Sequence, residues 1–423
     1  MKNNNITFRL IVMNFLEFAV WGAYLTSLGR YLGNIGLGAQ IKWFFAMQGI
    51  VSIFMPTLMG ILADRKIQAQ KVLSLCHGLA GIFMIAAGIY CQKAVAGVSF
   101  APLFALYSVS VAFFMPTIAI ANSVAYNALA KAGKDPVKDY PPIRVFGTVG
   151  FICSMLATNF ITVGGVSMQD SYTQLIASGL LSLVLCAYSL TMPECPTNKG
   201  KGGSIAEAFG LKAFTLFKDR QFAIFFIFSM LLGASLQITN GYANTFLGSF
   251  ADTHPGAFAV KNSNALLAIS QASETLCILL IPFFMKRFGI KKVMLIAMFA
   301  WVFRFGFFGA GTPDMPGVIL FILSCIVYGV AFDFFNISGS LYVEQNAATE
   351  IRSSAQGVFM LMTNGLGATI GTLAAGAVVE ACDVFNTPAK WADAWYIFAG
   401  YALVVGVLFA ILFKDPEKMK KAA

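Results

Sequence analysis

Long apolar runs separated by short polar turns recur from one end of the chain to the other. A bilayer crossing needs about 20 mostly apolar residues. Runs near 7–30, 42–63, 71–92, 101–130, 143–163, 173–192, 221–248, 263–285, 291–310, 317–343, 354–380 and 392–413 have that length, which predicts twelve transmembrane helices. They are continuous, unlike the roughly ten-residue alternating segments of a membrane barrel, so the expected fold class is an all-α membrane protein. The longest polar stretch, Pro193 to Lys218, contains Glu194, Lys199, Gly200, Lys201, Gly202, Gly203 and Ser204. It divides the chain into a six-helix bundle over 1–192, a linker over 193–220 and a second six-helix bundle over 221–423 with a short basic tail. A weak internal repeat agrees, because Pro56–Lys71 and Pro282–Lys292 each close a helix in a basic turn.

Composition supports the membrane reading. The chain is 58% apolar and only 11% charged, with a mean hydropathy of +0.75, whereas soluble domains are about 25% charged. Of the 29 Lys and Arg, Arg30, Lys42, Lys93, Lys261 and Lys390 fall in one set of loops and Arg144 and Arg304 fall within helices. The rest collect on the other side, so the positive-inside rule puts both termini in the cytoplasm. The net charge of +10 is then explained by loops beside an anionic inner leaflet, without a nucleic-acid partner. The first apolar run carries Glu17 in its middle and lacks a small-residue cleavage site, so it is expected to stay as the first helix rather than leave as a signal peptide. Eight scattered cysteines and two histidines have no metal-ligand spacing. The cysteines read as packing residues, and no metal or other cofactor is expected.

Parallel six-helix repeats with a solute site near the midplane describe the major facilitator architecture. The turn Gly60–Lys66 resembles that superfamily's loop signature, although Ile67, Gln68 and Ala69 depart from it. In such a molecule the chemistry lies in polar residues within the spans, where a charge costs about 2.5–3.5 kcal/mol and so faces a wet cavity or a partner. Glu17, Arg144, Glu274, Arg304 and Asp333 are such residues.

Tyr328, Phe332, Asn336 and Ser340 recur every fourth position, beside Asp333, and therefore share a helical face. Rings next to hydrogen-bonding groups suit a flat polar solute; a packed aromatic seam is the competing reading. Gln237, Asn240 and Asn244 form an amide stripe, able either to read a solute edge or to bond between helices. Asn264, Gln271 and Glu274 share another face, where Glu274 can accept from a sugar diol or pair with Arg304. In the first half Asn14, Glu17, Trp21 and Tyr24 line up, as do Asn122 and Tyr126. A helix opening at Pro141-Pro142 aligns Arg144, Thr148 and Phe151, with snorkelling to water the alternative for Arg144. His77 reads as a hydrogen-bonded interior histidine rather than a proton relay.

Almost the whole chain resembles the bacterial nucleoside:proton symporters. The stretches that carry the likeness are Tyr140–Arg144 with Gly147–Phe151, Phe225–Ala234, Leu236–Asn240, and Val327–Gly329 continuing through Ala331–Ser340. The resemblance implies a nucleoside pocket contacted by Arg144, Thr148, Phe151, Gln237, Asn240, Gln271, Glu274, Tyr328 and Phe332, with proton coupling at Asp333. Glu17 departs from the family pattern, which has an uncharged amide there, and so opens a possible contribution of Glu17 or Glu274 to coupling. The expected molecule is a monomeric importer in the inner membrane of a bacterium, with nucleoside and proton as partners and alternating access as mechanism. A major facilitator transporter of another solute, such as a sugar or drug, is the alternative. A membrane receptor or intramembrane enzyme would need a signalling domain or a catalytic constellation, and the sequence offers neither.

Overall fold

The computed structural model describes residues 3–94, 97–197, 211–348 and 351–414. The glycine-rich part of the expected linker, including Lys199 to Ser204, and the tail residues Lys418, Lys420 and Lys421 lie outside the described residues. The chain divides into two compact units, Met1–Gln40 with Ile50–Ser204, and Ile41–Gly49 with Ile205–Ala423. Among the described residues nine helical stretches are long and apolar enough to cross a membrane.

In the first unit, α1 (Asn3–Gly22) gives way over Ala23–Ser27 to a short α2 (Leu28–Asn34), where a single span over 7–30 is expected from hydropathy. There follow α3 (Ile41–Arg65), of which Ile41–Gly49 is counted with the second unit, then α4 (Ala69–Lys93), α5 (Phe100–Phe114), α6 (Thr117–Lys131), α7 (Pro136–Phe160) and α8 (Thr173–Ser189). The apolar run at 101–130 is broken between α5 and α6 at Met115-Pro116, because a proline supplies no backbone N–H to a helix interior. The expected opening of the next helix at Pro141-Pro142 is displaced. That helix begins at Pro136 after Asp135, whose backbone N–H donates to Asp139 Oδ2 at 3.0 Å, and the two prolines fall in its second turn. The start signal is the Asp135-Pro136 pair, since proline is well placed at a first helical position. Past Phe160, Thr162–Val163 and Val166–Ser167 pair as a minute hairpin across Gly164-Gly165, both at positive φ, as a tight hairpin turn requires. Inside the unit, α1 packs on α7 and α8, and α4 on α5, α6 and α8.

The second unit begins with a 3₁₀ segment, Leu211–Lys218. Asp219 then caps α9 (Arg220–Gly248), accepting from Gln221 N at 2.8 Å and Phe222 N at 2.9 Å, which satisfies two of the unpaired donors at a helix start. A short α10 (Phe258–Lys261) leads to α11 (Ser263–Ala310), α12 (Val318–Asn346), α13 (Arg352–Met360), a π-helical turn over Leu361–Gly367, α14 (Ala368–Ala381) and α15 (Trp391–Leu412). The runs at 263–285 and 291–310 lie on either side of Gly289, whose φ of 75° interrupts α11; only glycine adopts that backbone freely. α11 packs on α12 and α15, and α9 on the π-helical turn, α14 and α15. An aromatic core of Phe246, Phe308, Phe321, Trp391 and Trp395 fills the space between them.

Candidate functional site

In the first unit two glycines bring α1 and α7 into backbone contact. A Cβ on Gly150 would lie 2.1 Å from the Phe15 carbonyl oxygen, and one on Gly22 2.5 Å from that of Phe151. This crossing builds the face that carries Arg144, Thr148 and Phe151. The Arg144 guanidinium sits 3.8 Å from the centroid of Phe18, a cation–π contact rather than an excursion to water. The Trp21 ring stands edge-on to Phe151 at 6.2 Å, and its buried indole Nε1 has no hydrogen-bond partner among the described residues. Arg144 and Thr148 are half-buried while Phe151 is buried. The set therefore offers a cation, a hydroxyl and the edge of an aromatic stack.

Neighbouring polar residues fall to packing. The Tyr140 hydroxyl reaches Asn14 Oδ1 at 3.2 Å and also Asn122 Oδ1, and its ring stands edge-on to Tyr126 at 4.8 Å. Asn14 further donates to the Leu10 carbonyl. Tyr24 packs edge-on to Tyr107 within the bundle. Glu17 pairs with His77 inside the unit. Phe18, the platform for Arg144, has no polar signature in the sequence and is found only through the glycine-mediated crossing.

In the second unit the aromatic stripe of α12 is real but divided. The Tyr328 and Phe332 rings are near-parallel, 14° and 6.1 Å apart, and Trp301 stands edge-on to Tyr328 at 5.8 Å. One and two turns later the same stripe changes role. Ser340 donates to Gln356 Oε1 at 3.2 Å, and Asn336, Ser340 and Gln356 line a separate cleft with Phe359 and Met360. Asp333 is 4% exposed, and its Oδ2 has no partner among the described residues.

Gly329 brings α12 onto α11, since a Cβ there would fall 2.6 Å from the Ser273 carbonyl and 2.7 Å from Glu274 N. That contact puts Glu274 near enough to Asp333 and Tyr328 for their charges to interact, with Gln271 beside the tyrosine. Arg304, 1% exposed, lies over Tyr328 at 5.1 Å and Phe308 at 4.6 Å and donates to Ser270 Oγ at 3.3 Å. Two carboxylates and one guanidinium thus surround Tyr328, with Asp333 and Arg304 buried and Glu274 half-buried. If both acids are ionised, the set carries an odd negative charge that one proton neutralises.

The amide stripe of α9 also separates into two parts. Asn244 donates to Asn264 Oδ1 at 3.2 Å and accepts from Ser263 Oγ at 2.7 Å, which bolts α9 to α11 and removes both asparagines from the candidate face. Gln237 is buried with an unpartnered Oε1, and Asn240 is half-buried. No group of three or more His, Cys, Asp or Glu able to hold a metal occurs among the described residues.

The model of the nucleoside H+ symporter family matches residues 4–418. Xanthosine permease of Escherichia coli is 47% identical, covering 99% of both chains. Nucleoside permease NupG of the same organism is 43% identical over 97% of this chain and 96% of its own. A crystal structure of the nucleoside transporter NupG superposes with a TM-score of 0.87 at 42% identity, over 97% of this chain and 99% of that one. A D-xylose-proton symporter at 13% identity shares the fold, with a TM-score of 0.71 over 96% and 98% of the two chains. These matches run through the segments carrying both candidate faces, and the chain belongs to the nucleoside H+ symporter family.

Proposed function

We propose that this protein imports nucleosides together with protons across the inner membrane of a bacterium, as a monomer of twelve helices in two six-helix bundles with both termini cytoplasmic, by alternating access. The observation that carries the reading is the stacked Tyr328–Phe332 pair next to Asp333, a buried carboxyl group with one oxygen unpartnered. A flat base can lie against such rings, and a proton on the carboxyl removes a charge that is costly to hold in the membrane interior. Gln237, Asn240, Gln271 and Glu274 supply the donors and acceptors that a base edge and a ribose diol need. The family resemblance assigns Arg144, Thr148 and Phe151 to nucleoside binding as well. Membership of the family supports the choice of solute.

One inward proton at 100 mV contributes about 2.3 kcal/mol, enough for roughly 40-fold accumulation of a neutral solute. The test is uptake of radiolabelled uridine and adenosine into proteoliposomes with and without an inward proton gradient. Gradient-driven accumulation that falls in Asp333→Asn supports the assignment. Absence of uptake by the native protein overturns nucleoside symport, and undiminished accumulation in Asp333→Asn overturns the role of Asp333.

A further inference from the structure

The first unit contains a buried ionisable pair that the proposed pathway does not use. Glu17 is 1% exposed and His77 is wholly buried. Glu17 Oε2 lies 2.8 Å from His77 Nε2, and Glu17 Oε1 accepts from Thr117 Oγ1 at 2.6 Å. His77 Nδ1 lies 2.9 Å from Ser182 Oγ, and that hydroxyl also reaches the His77 carbonyl at 2.9 Å. The Thr117 hydroxyl likewise reaches the Phe114 carbonyl at 2.6 Å. Four helices, α1, α4, α6 and α8, each contribute one side chain.

Counting hydrogens shows what the arrangement holds. Each hydroxyl has a single hydrogen to donate. When Ser182 donates to the His77 carbonyl, Nδ1 must carry its own hydrogen, and with Nε2 donating to Glu17 the ring is an imidazolium beside a carboxylate. When Ser182 instead donates to Nδ1, with Nε2–H and the Thr117 hydroxyl donating to the Glu17 carboxylate, the same side-chain contacts are made by a neutral ring with one proton fewer. The first of these states has no net charge. Losing that proton leaves one buried negative charge.

The titratable groups close enough for their charges to interact with Glu17 include Cys76 on α4 and Tyr140 on α7, and Arg144 lies beyond Tyr140 on α7. The Arg144 guanidinium is engaged on Phe18. Neutral amides could make the same hydrogen bonds, and a buried ion pair gives little stability over such a replacement. What the ionisable pair adds is a reversible proton.

The pair is also tied to the candidate substrate face. The His77 ring contacts Phe114 at 6.1 Å, Phe114 contacts Trp21 at 5.9 Å, and Trp21 contacts Phe151 at 6.2 Å. Phe18, adjacent to Glu17 in the chain, carries the Arg144 guanidinium. A nucleoside that displaces Arg144 or Phe151 therefore acts on neighbours of both members of the pair.

We propose that Glu17 and His77 form a second proton-binding site, in the N-terminal unit, which takes up and releases one proton in step with nucleoside binding. This rests on the symport reading and adds one proton to its stoichiometry. The experiment measures steady-state uridine accumulation in proteoliposomes at equal pH and about 100 mV, inside negative, for wild-type, Glu17→Gln and Glu17→Gln/His77→Asn protein. Uridine counterflow without a gradient checks that each variant folds and binds.

Losing one coupled proton predicts a fall in accumulation of about 40-fold. Variants that exchange uridine and still accumulate it as the wild type does overturn the second site alone, whereas a wild type that takes up no nucleoside overturns the symport reading. If the variants do not exchange, His254→Gln leaves His77 as the sole histidine, since the chain has two. Its ¹⁵N imidazole resonances then decide the question. A protonation change on adding uridine supports the site, and resonances unmoved by uridine or pH overturn it.

Discussion

At the scale of single residues, similar side chains separate by what they touch. Phe332 presents a half-buried ring stacked beside Tyr328. Because base–aromatic stacking is worth about 1–3 kcal/mol on alanine substitution, Phe332→Ala is expected to raise the uridine Kd by about 5- to 150-fold in equilibrium binding. Glu274→Gln is expected to weaken binding by about tenfold, the cost of a hydrogen bond to a charged acceptor, while leaving thermal stability nearly unchanged. Asn240 and Asn244 give the opposite contrast. Asn244→Leu removes the hydrogen bonds to Ser263 and Asn264 and is expected to lower the melting temperature without changing Kd, whereas Asn240→Leu changes Kd.

The helical period exposed the candidate faces in the sequence, because polar side chains three and four positions apart share a side. It did not reveal that Asn244 is consumed by α11, that Phe18 supports Arg144, or that Glu17 meets His77. Those facts depend on which helices adjoin, and helix adjacency has no period along the chain.

At the scale of elements, close crossings are set by glycines. Gly150→Val would put side-chain atoms into the Phe15 backbone and Gly329→Val into Ser273. Both are expected to reduce the yield of monodisperse protein, while Gly60→Ala, with nothing within 4 Å of its Cβ, leaves it unchanged; size-exclusion profiles after solubilisation check this. Hydropathy located the apolar elements well, since burying a span in lipid needs a continuous run whatever its neighbours are. It missed the interruptions at Ala23–Ser27 and Met115-Pro116, which fall inside apolar stretches where the average does not change, whereas the break at Gly289 falls in the basic turn between two expected spans. The earlier start of α7 was legible in Asp135-Pro136 and was obscured by the more conspicuous Pro141-Pro142.

At the scale of the whole molecule, charge and apolar surface bear on how the protein sits in lipid. The proposed orientation predicts that a fluorescent protein fused to the C-terminus fluoresces while an alkaline phosphatase fused there is inactive. Leu276, Leu279 and Phe283 project from α11 at 64%, 74% and 61% exposure. Leu279→Lys is expected to impair membrane insertion by about 2.5–3.5 kcal/mol, readable as the inserted fraction in a glycosylation or protease-protection assay.

The π-helical turn over Leu361–Gly367 also affects how positions are mapped onto the molecule. A π turn accommodates an extra residue, and each residue advances a helix by about 100°. Gln356 and Phe359 before it are therefore out of phase with Thr369 and Thr372 after it, relative to an unbroken α-helix. A cysteine-accessibility scan through 352–381 should show a regular rhythm that skips one beat at this turn, and removing one residue within 361–367 should restore the rhythm while rotating everything on one side of it onto a new face.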